Sequence, residues 1–301
     1  MFESTQIADF VSARRPPPAS DAAGARTAAL RFSVVMPSYG HAHFIRRSLH
    51  SVLNQDHPGT ELIVIDGGSR DGTPAILEEY AAQLAYWHSK PDRGQSDALN
   101  QGFRHATGDI FGWLNSDDVY LPGAFAHVEW LFRARPDVQV VYGDWYTIDV
   151  EDRITERFLS MSCSRGRLIT EGFFCNAQAM FWRRSLHEQL GDFDLRLHYT
   201  MDYDLMLRMT AAVPARAFLR TARALGCFRV YRGQKTGGWN DKVAHEHRLI
   251  AESAGTTWKY APSGRLLRQY FRGARVAEHL WRGRIDYLWA RLASRLQAPS
   301  G

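Results

Sequence analysis

The chain has 301 residues, 45% of them hydrophobic and 23% charged, which gives it the composition of an ordinary globular protein and enough length to bury a full core. The net charge of +5 comes from the C-terminal tail described below, which carries +6 against −1 for the rest of the chain, and we expect no nucleic-acid partner. The three cysteines form no C-x-x-C pair, and no apolar run approaches the roughly 18 residues of a membrane-spanning helix. The N-terminus lacks the basic segment followed by an apolar segment that marks a signal peptide. The sequence therefore predicts a cytoplasmic protein.

The first part of the chain predicts a leader followed by a parallel βαβ unit. Residues 1–30 are rich in Ala, Ser, Gly and Pro without a sustained apolar period, which is typical of a flexible leader. Apolar runs at residues 32–37 and 62–66 are predicted strands, and the residues between them have helical spacing. The alternation continues with predicted strands at 86–87, 110–114 and 138–142 and helices at 98–106 and from Pro122 to Arg133.

Beyond Gly143 the predicted elements become shorter. They are a hairpin over residues 145–158, a strand at 179–182, helices at 183–190 and 203–210, and strands near Phe218 and at 227–231. A parallel half followed by mixed connectivity predicts an α/β fold with a mixed, mainly parallel sheet flanked by helices. We expect residues 31–260 to form one domain.

Two adjacent acids, Asp117 and Asp118, follow the predicted strand at 110–114. Neighbouring carboxylates repel each other and offer the hard oxygen ligands that Mg²⁺ or Mn²⁺ prefers. In α/β sheets, ligands also bind at the carboxyl ends of strands. Alternatively, the two acids cap the helix that Pro122 would start.

Two further segments have side chains suited to a nucleotide. Asp66 closes the second strand and opens a glycine-rich loop to Thr73, which suits a base edge or ribose; the alternative is a turn that ends in a helix cap. Residues 90–100 place basic and amide groups before a helix N-terminus, which suits a diphosphate; the alternative is a capped loop. No G-x-G-x-x-G follows the first strand and no P-loop motif is present, which disfavours dinucleotide-binding and P-loop folds.

The C-terminal tail, residues 261–301, is basic and amphipathic. From Gly264 it has eight arginines against Glu278 and Asp286, a net charge of +6. Its apolar residues recur with a helical period, with a possible interruption at Gly273 or Gly283. We expect residues 264–297 to bind an anionic membrane surface through a stripe of Tyr270, Phe271, Trp281, Leu288 and Trp289; the alternative is that this stripe packs against the domain.

Five segments together resemble glycosyltransferase family 2. They lie at residues 34–39, 66–73, 92–100, 113–118 and 201–208, in the order and spacing of that family, and the resemblance covers about residues 32 to 235. The chain looks most like the bacterial branch that builds cell-surface polysaccharides. The resemblance implies a GT-A fold, a UDP-sugar or related nucleotide-sugar donor, a lipid-linked or growing glycan acceptor, a divalent cation and inversion at the anomeric carbon. Together with the composition, the basic tail predicts a cytoplasmic enzyme that is peripheral at the inner face of the cell membrane.

The resemblance also implies roles for individual residues. Pro37, Tyr39 and Asp66 would hold the base, with Ser69 nearby. Asp97 and Asn100 would lie near the base, ribose or diphosphate, and Asp117 would hold the ribose or donor sugar. Asp118 would bind Mg²⁺ or Mn²⁺, and Asp202 would be the general base, unless it is the N-cap of the helix that follows it.

The chain departs from the family pattern in two places. Residues 115–118 read Asn-Ser-Asp-Asp, without an acid in the first position, and Tyr231 stands where many relatives have a histidine. We expect Tyr231 to hydrogen-bond a phosphate or to have no role, and Arg229, Arg232 and Lys235 to cover the diphosphate. The sequence His-Glu-His at residues 245–247 is predicted to be a solvated surface, because histidines two residues apart on a helix do not face one ion.

Two other functional classes remain to be weighed. A nucleotidyltransferase would need a second metal carboxylate and a basic first loop, and residues 38–41 supply neither. A non-catalytic glycan-binding or scaffolding subunit would be expected to lack Asp118 or Asp202, and both are present.

Overall fold

The computed structural model describes residues 3–12, 29–235, 240–260, 262–281, 283–285 and 287–289. The elements of the first part are α1 (Ser4–Ser12), β1 (Phe32–Ser38), α2 (Ile45–Leu53), β2 (Thr60–Asp66), α3 (Thr73–Tyr80), β3 (Tyr86–Ser89), α4 (Gln95–His105) and β4 (Ile110–Trp113). The remaining elements are β5 (Val119–Tyr120), α5 (Ala124–Ala134), β6 (Val140–Ile148), β7 (Ile154–Phe158), α6 (Arg165–Glu171), β8 (Met180–Arg183), α7 (Arg184–Leu190), α8 (Met201–Ala212), β9 (Phe218–Arg229), α9 (Asp241–Ser253) and α10 (Pro262–Trp281).

One mixed sheet organises the molecule. Its strand order is β3-β2-β1-β4-β8-β6-β9-β5, with β7 paired to β6. Strand β1 is parallel to β2 and to β4, and β2 is parallel to β3, which confirms the predicted βαβ unit. Strand β8 runs antiparallel to both β4 and β6, which confirms the predicted mixed second half.

Helices cover both faces of the sheet, so the central strands are buried on both sides. All seven residues of β1 are buried. Val35 lies in the core on one face, and Val34 and Met36 lie in the core on the other face. This is the alternation expected of a strand, and it explains why the strand reads as a continuous apolar run in the sequence.

Several predicted boundaries change. The predicted strand at 138–142 and the first arm of the hairpin form one strand, β6, and the strands predicted near Phe218 and at 227–231 form one strand, β9. The parallel pairing of β6 with β9 continues past a bulge near Asp144, so neither strand ends where its sequence pattern weakens. Helix α5 begins at Ala124, after Pro122.

The prediction of a flexible leader is wrong for Ser4–Ser12, which form helix α1. Ile7 and Val11 are buried, the Val11 carbonyl accepts a hydrogen bond from His50 Nδ1, and Asn54 Nδ2 donates to the Phe10 carbonyl. The helix was missed because its apolar residues are few and its partners lie more than 30 residues away on α2. Residues 13–28 lie outside the described part of the chain.

The tail forms the predicted helix, which continues through Gly273 as α10. It ends before Gly283, whose φ of +66° lies in the left-handed region that favours glycine. Within the described residues, no helix combines the length and the apolarity that a bilayer crossing requires.

Replacing Ile7 by alanine tests the docking of α1. We expect the free energy of unfolding to fall by about 2 to 5 kcal/mol, since a buried isoleucine would leave a cavity. The measurement is urea unfolding of the full chain, with exposed Thr5→Ala in the same helix as the control. Equal stability of the two variants would show that α1 is not anchored in solution.

Candidate active site

The predicted site residues gather at one edge of the sheet. Strands β1, β2 and β4 are parallel, so their carboxyl ends meet there, and Ser38 at the end of β1 pairs with Asp66 at the end of β2. Asp117 and Asp118 follow β4 in the turn before β5. This edge is where an α/β sheet binds its ligands.

Asp66 anchors the first part of the site. Its carboxylate is buried and accepts hydrogen bonds from the Ser69 backbone N–H at 2.9 Å, from the Ser69 hydroxyl, and from Ser89 Oγ at 2.6 Å. The Ser69 hydroxyl also accepts from the Gly40 N–H at 2.7 Å, which ties the β2 loop to the β1 loop. Pro37 is buried in β1, whereas the Tyr39 side chain is 69% exposed at the rim, where its ring is free to stack on a planar ligand.

The segment before α4 lies against this loop. A Cβ atom on Gly67 would lie 2.9 Å from Asp92 Oδ2, so a side chain at this position would require the Asp92 carboxylate to move. Burial raises the pKa of Asp92, partly offset by a hydrogen bond from the Gly94 N–H. Asp97 pairs with Arg93 at 3.0 Å, and this pairing lowers the pKa of Asp97.

Asn100 has a different environment from the one expected of a ligand-binding residue. Its amide is buried, with Nδ2 donating to the Phe193 carbonyl at 3.0 Å and Oδ1 accepting from the Phe193 N–H at 2.7 Å. Both ends of the amide are therefore engaged by one backbone unit. Asn100 holds the chain before α8 against α4, and its predicted contact with a nucleotide is not supported by this geometry.

Asp118 is fully buried beside Asp117. Its Oδ1 accepts from the Arg229 N–H at 2.8 Å and its Oδ2 accepts from Asn115 Nδ2 at 3.0 Å. Burial, and then the charge of Asp117, raises the pKa of Asp118 well above its usual value. Neither acid caps α5, which follows Gly123 without a side-chain cap, so that alternative is wrong.

His41 completes the surroundings of Asp117. Its Nδ1 lies 2.7 Å from Ser116 Oγ, and its Nε2 lies 3.2 Å from the Tyr231 hydroxyl and 3.8 Å from Asp117 Oδ2. The Tyr231 hydroxyl donates to Asp117 Oδ2 at 3.0 Å. Tyr231 therefore binds Asp117, one of the two acids, so the expectation that it has no role is wrong. The sequence analysis missed His41, whose only signal was its place in the loop directly after β1.

Arg229 does not cover a diphosphate, as the sequence suggested, because it is fully buried. Its Nε donates to the Asp117 carbonyl at 2.7 Å, its Nη1 to the Asp149 carbonyl at 2.5 Å, and its Nη2 to Asp152 Oδ1 at 2.6 Å. Lys235, in contrast, is exposed in the cleft. It donates to Gln95 Oε1 at 2.9 Å, and Gln95 donates to the same Asn115 that binds Asp118.

Asp202 is the second residue of α8, and Thr200 occupies the N-cap position, so the N-cap alternative for Asp202 is wrong. The Asp202 carboxylate accepts from the Tyr203 N–H at 2.7 Å. Burial raises the pKa of Asp202 to about 6, against the opposing effects of this hydrogen bond and of the positive charge of Lys235. A carboxyl group that titrates near neutral pH suits proton transfer.

The acid pair fits a divalent cation that is shared with a substrate. The described residues contain no group of three or more His, Cys, Asp or Glu side chains able to enclose an ion. However, Mg²⁺ is commonly held by one or two carboxylates together with substrate phosphates and water. Asp117 and Asp118 supply such a pair, and burial and the charge of Asp117 raise the pKa of Asp118, an effect that a bound cation would oppose.

Comparison with known families identifies the chain. The model of "Glycosyl transferase family 2" matches residues 33–190. The chain belongs to glycosyltransferase family 2. This family assignment confirms the resemblance seen in the sequence.

Relatives within glycosyltransferase family 2 match the chain over similar lengths. An uncharacterized glycosyltransferase of Mycobacterium tuberculosis is 31% identical over 191 residues, which are 60% of this chain and 70% of the relative. A PGL/p-HBAD biosynthesis glycosyltransferase of Mycobacterium bovis is 31% identical over 185 residues, with the same coverage. An uncharacterized glycosyltransferase of Rickettsia typhi is 27% identical over 183 residues, and the chain spans only 57% of its length.

Solved structures confirm the predicted GT-A fold of this family 2 member. S. aureus TarS in complex with UDP-GlcNAc has a TM-score of 0.59 at 18% identity, covering 74% of this chain and 66% of TarS. The mannosyltransferase PcManGT from Pyrobaculum calidifontis, in complex with GDP-Man and Mn²⁺, has a TM-score of 0.53 at 19% identity, covering 99% of this chain and 94% of that protein.

The raised pKa of Asp202 predicts a stability effect that needs no substrate. The pKa of about 6 in the folded state exceeds the ordinary value of 3.8, so the folded protein binds more protons between these values and the free energy of unfolding falls as the pH rises through them. At pH 7.5, Asp202→Asn should therefore be more stable than the parent by about 2 to 3 kcal/mol, a gain that disappears below about pH 4.

The measurement is urea unfolding of both proteins from pH 4 to pH 7.5. Asp137→Asn is the control, since Asp137 is exposed and paired with Arg135 at 2.9 Å. A stability difference for Asp202→Asn that does not vary with pH would contradict the raised pKa.

Proposed function

We propose that this chain is an inverting glycosyltransferase that transfers one sugar from a UDP-sugar to a lipid-linked or growing glycan acceptor in cell-surface polysaccharide synthesis. The family assignment supports glycosyl transfer. TarS binds UDP-GlcNAc and the Mycobacterium bovis relative is a biosynthesis glycosyltransferase, which agrees with a nucleotide-sugar donor and a glycan product.

The observation that carries the proposal is a pair of contact series at the sheet edge, one from Asp66 to Asp117 and one from Asp118 to Lys235. Asp66 contacts Ser69, and Ser69 binds the loop that carries His41, which lies against Asp117. On the other side, Asp118 is linked through Asn115 and Gln95 to Lys235, whose charge acts on Asp202. These contacts support a proposal in which the nucleotide base, the diphosphate and the general base Asp202 lie close to one another.

Each residue of the candidate site would have its own role in the transfer of the sugar. Asp66 and Ser69 would bind the nucleotide base, with the exposed Tyr39 ring against its face, and Asp117 would hold the ribose or donor sugar. The acceptor hydroxyl attacks the anomeric carbon opposite the diphosphate, so a new C–O bond forms while the bond to the phosphate oxygen breaks. Asp202 takes the hydroxyl proton, and the nucleoside diphosphate leaves with the bonding electrons.

Asp118, beside Asp117, would hold the Mg²⁺ or Mn²⁺ ion, whose chemistry is Lewis-acid stabilisation of the negative charge on the leaving diphosphate. Lys235 adds a positive charge in the same cleft. Arg229 acts only through its buried contacts, which hold the backbone of Asp117 and the carboxylate of Asp118 in place.

Donor turnover is the direct test. We expect release of UDP from one member of a UDP-sugar panel to require Mg²⁺ or Mn²⁺, to be lost in Asp118→Asn, and to fall by about 10² to 10⁴ in Asp202→Asn with UDP affinity retained. Initial rates and calorimetry with UDP, before and after EDTA treatment, measure both quantities, with Asp137→Asn as the control. If Asp202→Asn turned over donor as fast as the parent, Asp202 would not be the general base. If the enzyme kept full turnover without metal, the proposed role of the cation would be wrong.

We further propose that α10 holds the enzyme on an anionic membrane at the inner face of the cell membrane. Its exposed apolar side chains all lie on one side of the helix, at positions 266, 270, 276, 280 and 281. At 100° per residue, the arc that contains them has only Gly, Ala, Gln, Pro and Ser at its other positions, and no charged residue.

Three charged side chains of α10 contact the domain instead. Glu278 binds Arg167 at 2.8 Å, Arg275 lies 3.5 Å from Glu171, and Arg268 donates to the Lys259 carbonyl. The helix therefore packs on the domain through these polar contacts and presents an apolar face outward, which supports a role for that face in membrane binding. An apolar face flanked by arginines such as Arg272 suits an anionic lipid surface.

The test uses point variants, because truncation would also remove the polar contacts with the domain. Leu266→Glu combined with Leu280→Glu should abolish co-sedimentation of the full chain with vesicles of phosphatidylcholine and phosphatidylglycerol, while Trp130→Glu, an exposed apolar site on α5, should leave it unchanged. Equal sedimentation of all three proteins would contradict the membrane proposal. Concentration-dependent dimerisation that only the double variant loses would identify a second copy as the partner.

A further inference from the structure

A buried glutamate on α9 holds the turn that leads into α8. Glu246 Oε1 accepts from the His198 N–H at 2.8 Å, and its Oε2 accepts from the Tyr199 N–H at 2.9 Å, the Thr200 N–H at 3.0 Å and the Thr200 hydroxyl at 2.9 Å. Glu246 is only 4% exposed. The predicted solvated surface at residues 245–247 is therefore wrong for its central residue, although His245 is exposed.

This turn determines where α8 begins. The Thr200 carbonyl accepts the Asp204 N–H at 3.0 Å, which is the first hydrogen bond of the helix, and Asp202 lies inside that first turn. The same carboxylate therefore fixes the N-cap backbone two residues before Asp202. Hydrogen bonds to a charged acceptor are about twice as strong as neutral ones, so four of them restrain the turn firmly.

The charge of Glu246 also acts on Asp202 and on Lys235. Glu246 raises the pKa of Asp202, after the larger effect of burial, while Lys235 opposes it. Burial lowers the pKa of His247, which packs on Tyr203, to about 4, so this imidazole is neutral at pH 7. The other titratable groups packed here are Cys175, beside Asp202, and Lys259, which donates to the Tyr203 hydroxyl at 3.4 Å.

We propose that Glu246 is a positioning residue for the Asp202 base: it fixes the turn that aims the Asp202 carboxylate into the cleft and places a negative charge beside it. The inference rests on the proposed role of Asp202. Glu246 itself contacts no reacting atom, because its carboxylate is enclosed by the backbone of residues 198–200. It acts through the position and the protonation of Asp202.

Glu246→Gln separates these effects from ordinary folding. A glutamine side chain has a single acceptor oxygen, and its NH₂ group would face the backbone N–H groups, so the turn loosens and the charge is lost. Glu252→Gln is the matched control on the same helix, because Glu252 is exposed. Thr200→Val is the milder second variant, since it removes one hydrogen bond to Glu246 and keeps the charge.

Three measurements on the full chain decide the proposal. The first is the titration of Asp202, followed by NMR of protein carrying ¹³C-labelled aspartate carboxyl groups and assigned by the signal missing in Asp202→Asn. The second is UDP affinity by calorimetry. The third is kcat and KM for the UDP-sugar that gives turnover, because a misplaced base lowers kcat by about 10- to 100-fold while KM and UDP affinity change little.

We expect Glu246→Gln to lower kcat in this way and to move the Asp202 titration to lower pH, Glu252→Gln to match the parent, and Thr200→Val to lower kcat without the shift in titration. If Glu246→Gln misfolds and loses UDP binding, the kcat of Thr200→Val tests whether the turn positions Asp202. A parent-like titration and kcat in Glu246→Gln, or a parent-like kcat in a folded Thr200→Val, would overturn the inference. Failure of the proposed function is a different result, namely parent-like turnover by Asp202→Asn.

Discussion

The site depends on one buried guanidinium. Arg229 is fully enclosed, and a buried charge is tolerated only when its donors are satisfied. Its side chain joins the turn that carries Asp117 to the β6–β7 hairpin at Asp149 and Asp152, and it stacks on Phe44 with its Cζ atom 4.8 Å from the ring centre. Its backbone N–H holds Asp118. Strand ends from both halves of the sheet are thus fixed by a residue that no ligand touches.

Three carboxylates of the candidate site cost the folded protein free energy when they are charged. Burial raises the pKa values of Asp92, Asp118 and Asp202, which means that their charged forms are disfavoured in this structure. Their hydrogen bonds offset only part of that effect. A site with unmatched negative charge is poised to bind cations and hydrogen-bond donors, and this is the usual conflict between the stability of a fold and the activity of its site.

The sequence was informative wherever the determining signal was local. The apolar runs of β1, β2 and β4 and the acids that follow them can be read directly, because a strand and its final residue are adjacent in the chain. The roles of Arg229 and Glu246 could not be read, because Arg229 meets Asp118 across 111 residues and Glu246 meets Thr200 across 46. An arginine next to a predicted site looks like a ligand-binding residue until its burial is known.

The residues of the candidate site fall into two groups, one inside and one outside the segment that the family model matches. The family model ends at residue 190, so Asp66, Asp117 and Asp118 lie within the matched segment, whereas Asp202, Tyr231, Lys235 and Glu246 lie beyond it. Of the later residues, Tyr231 contacts Asp117, whereas Glu246 holds the turn before Asp202. The part of the chain after residue 190 therefore supplies both the proposed base and the contacts that hold it in place. It also completes the surroundings of Asp117, which lies within the matched segment.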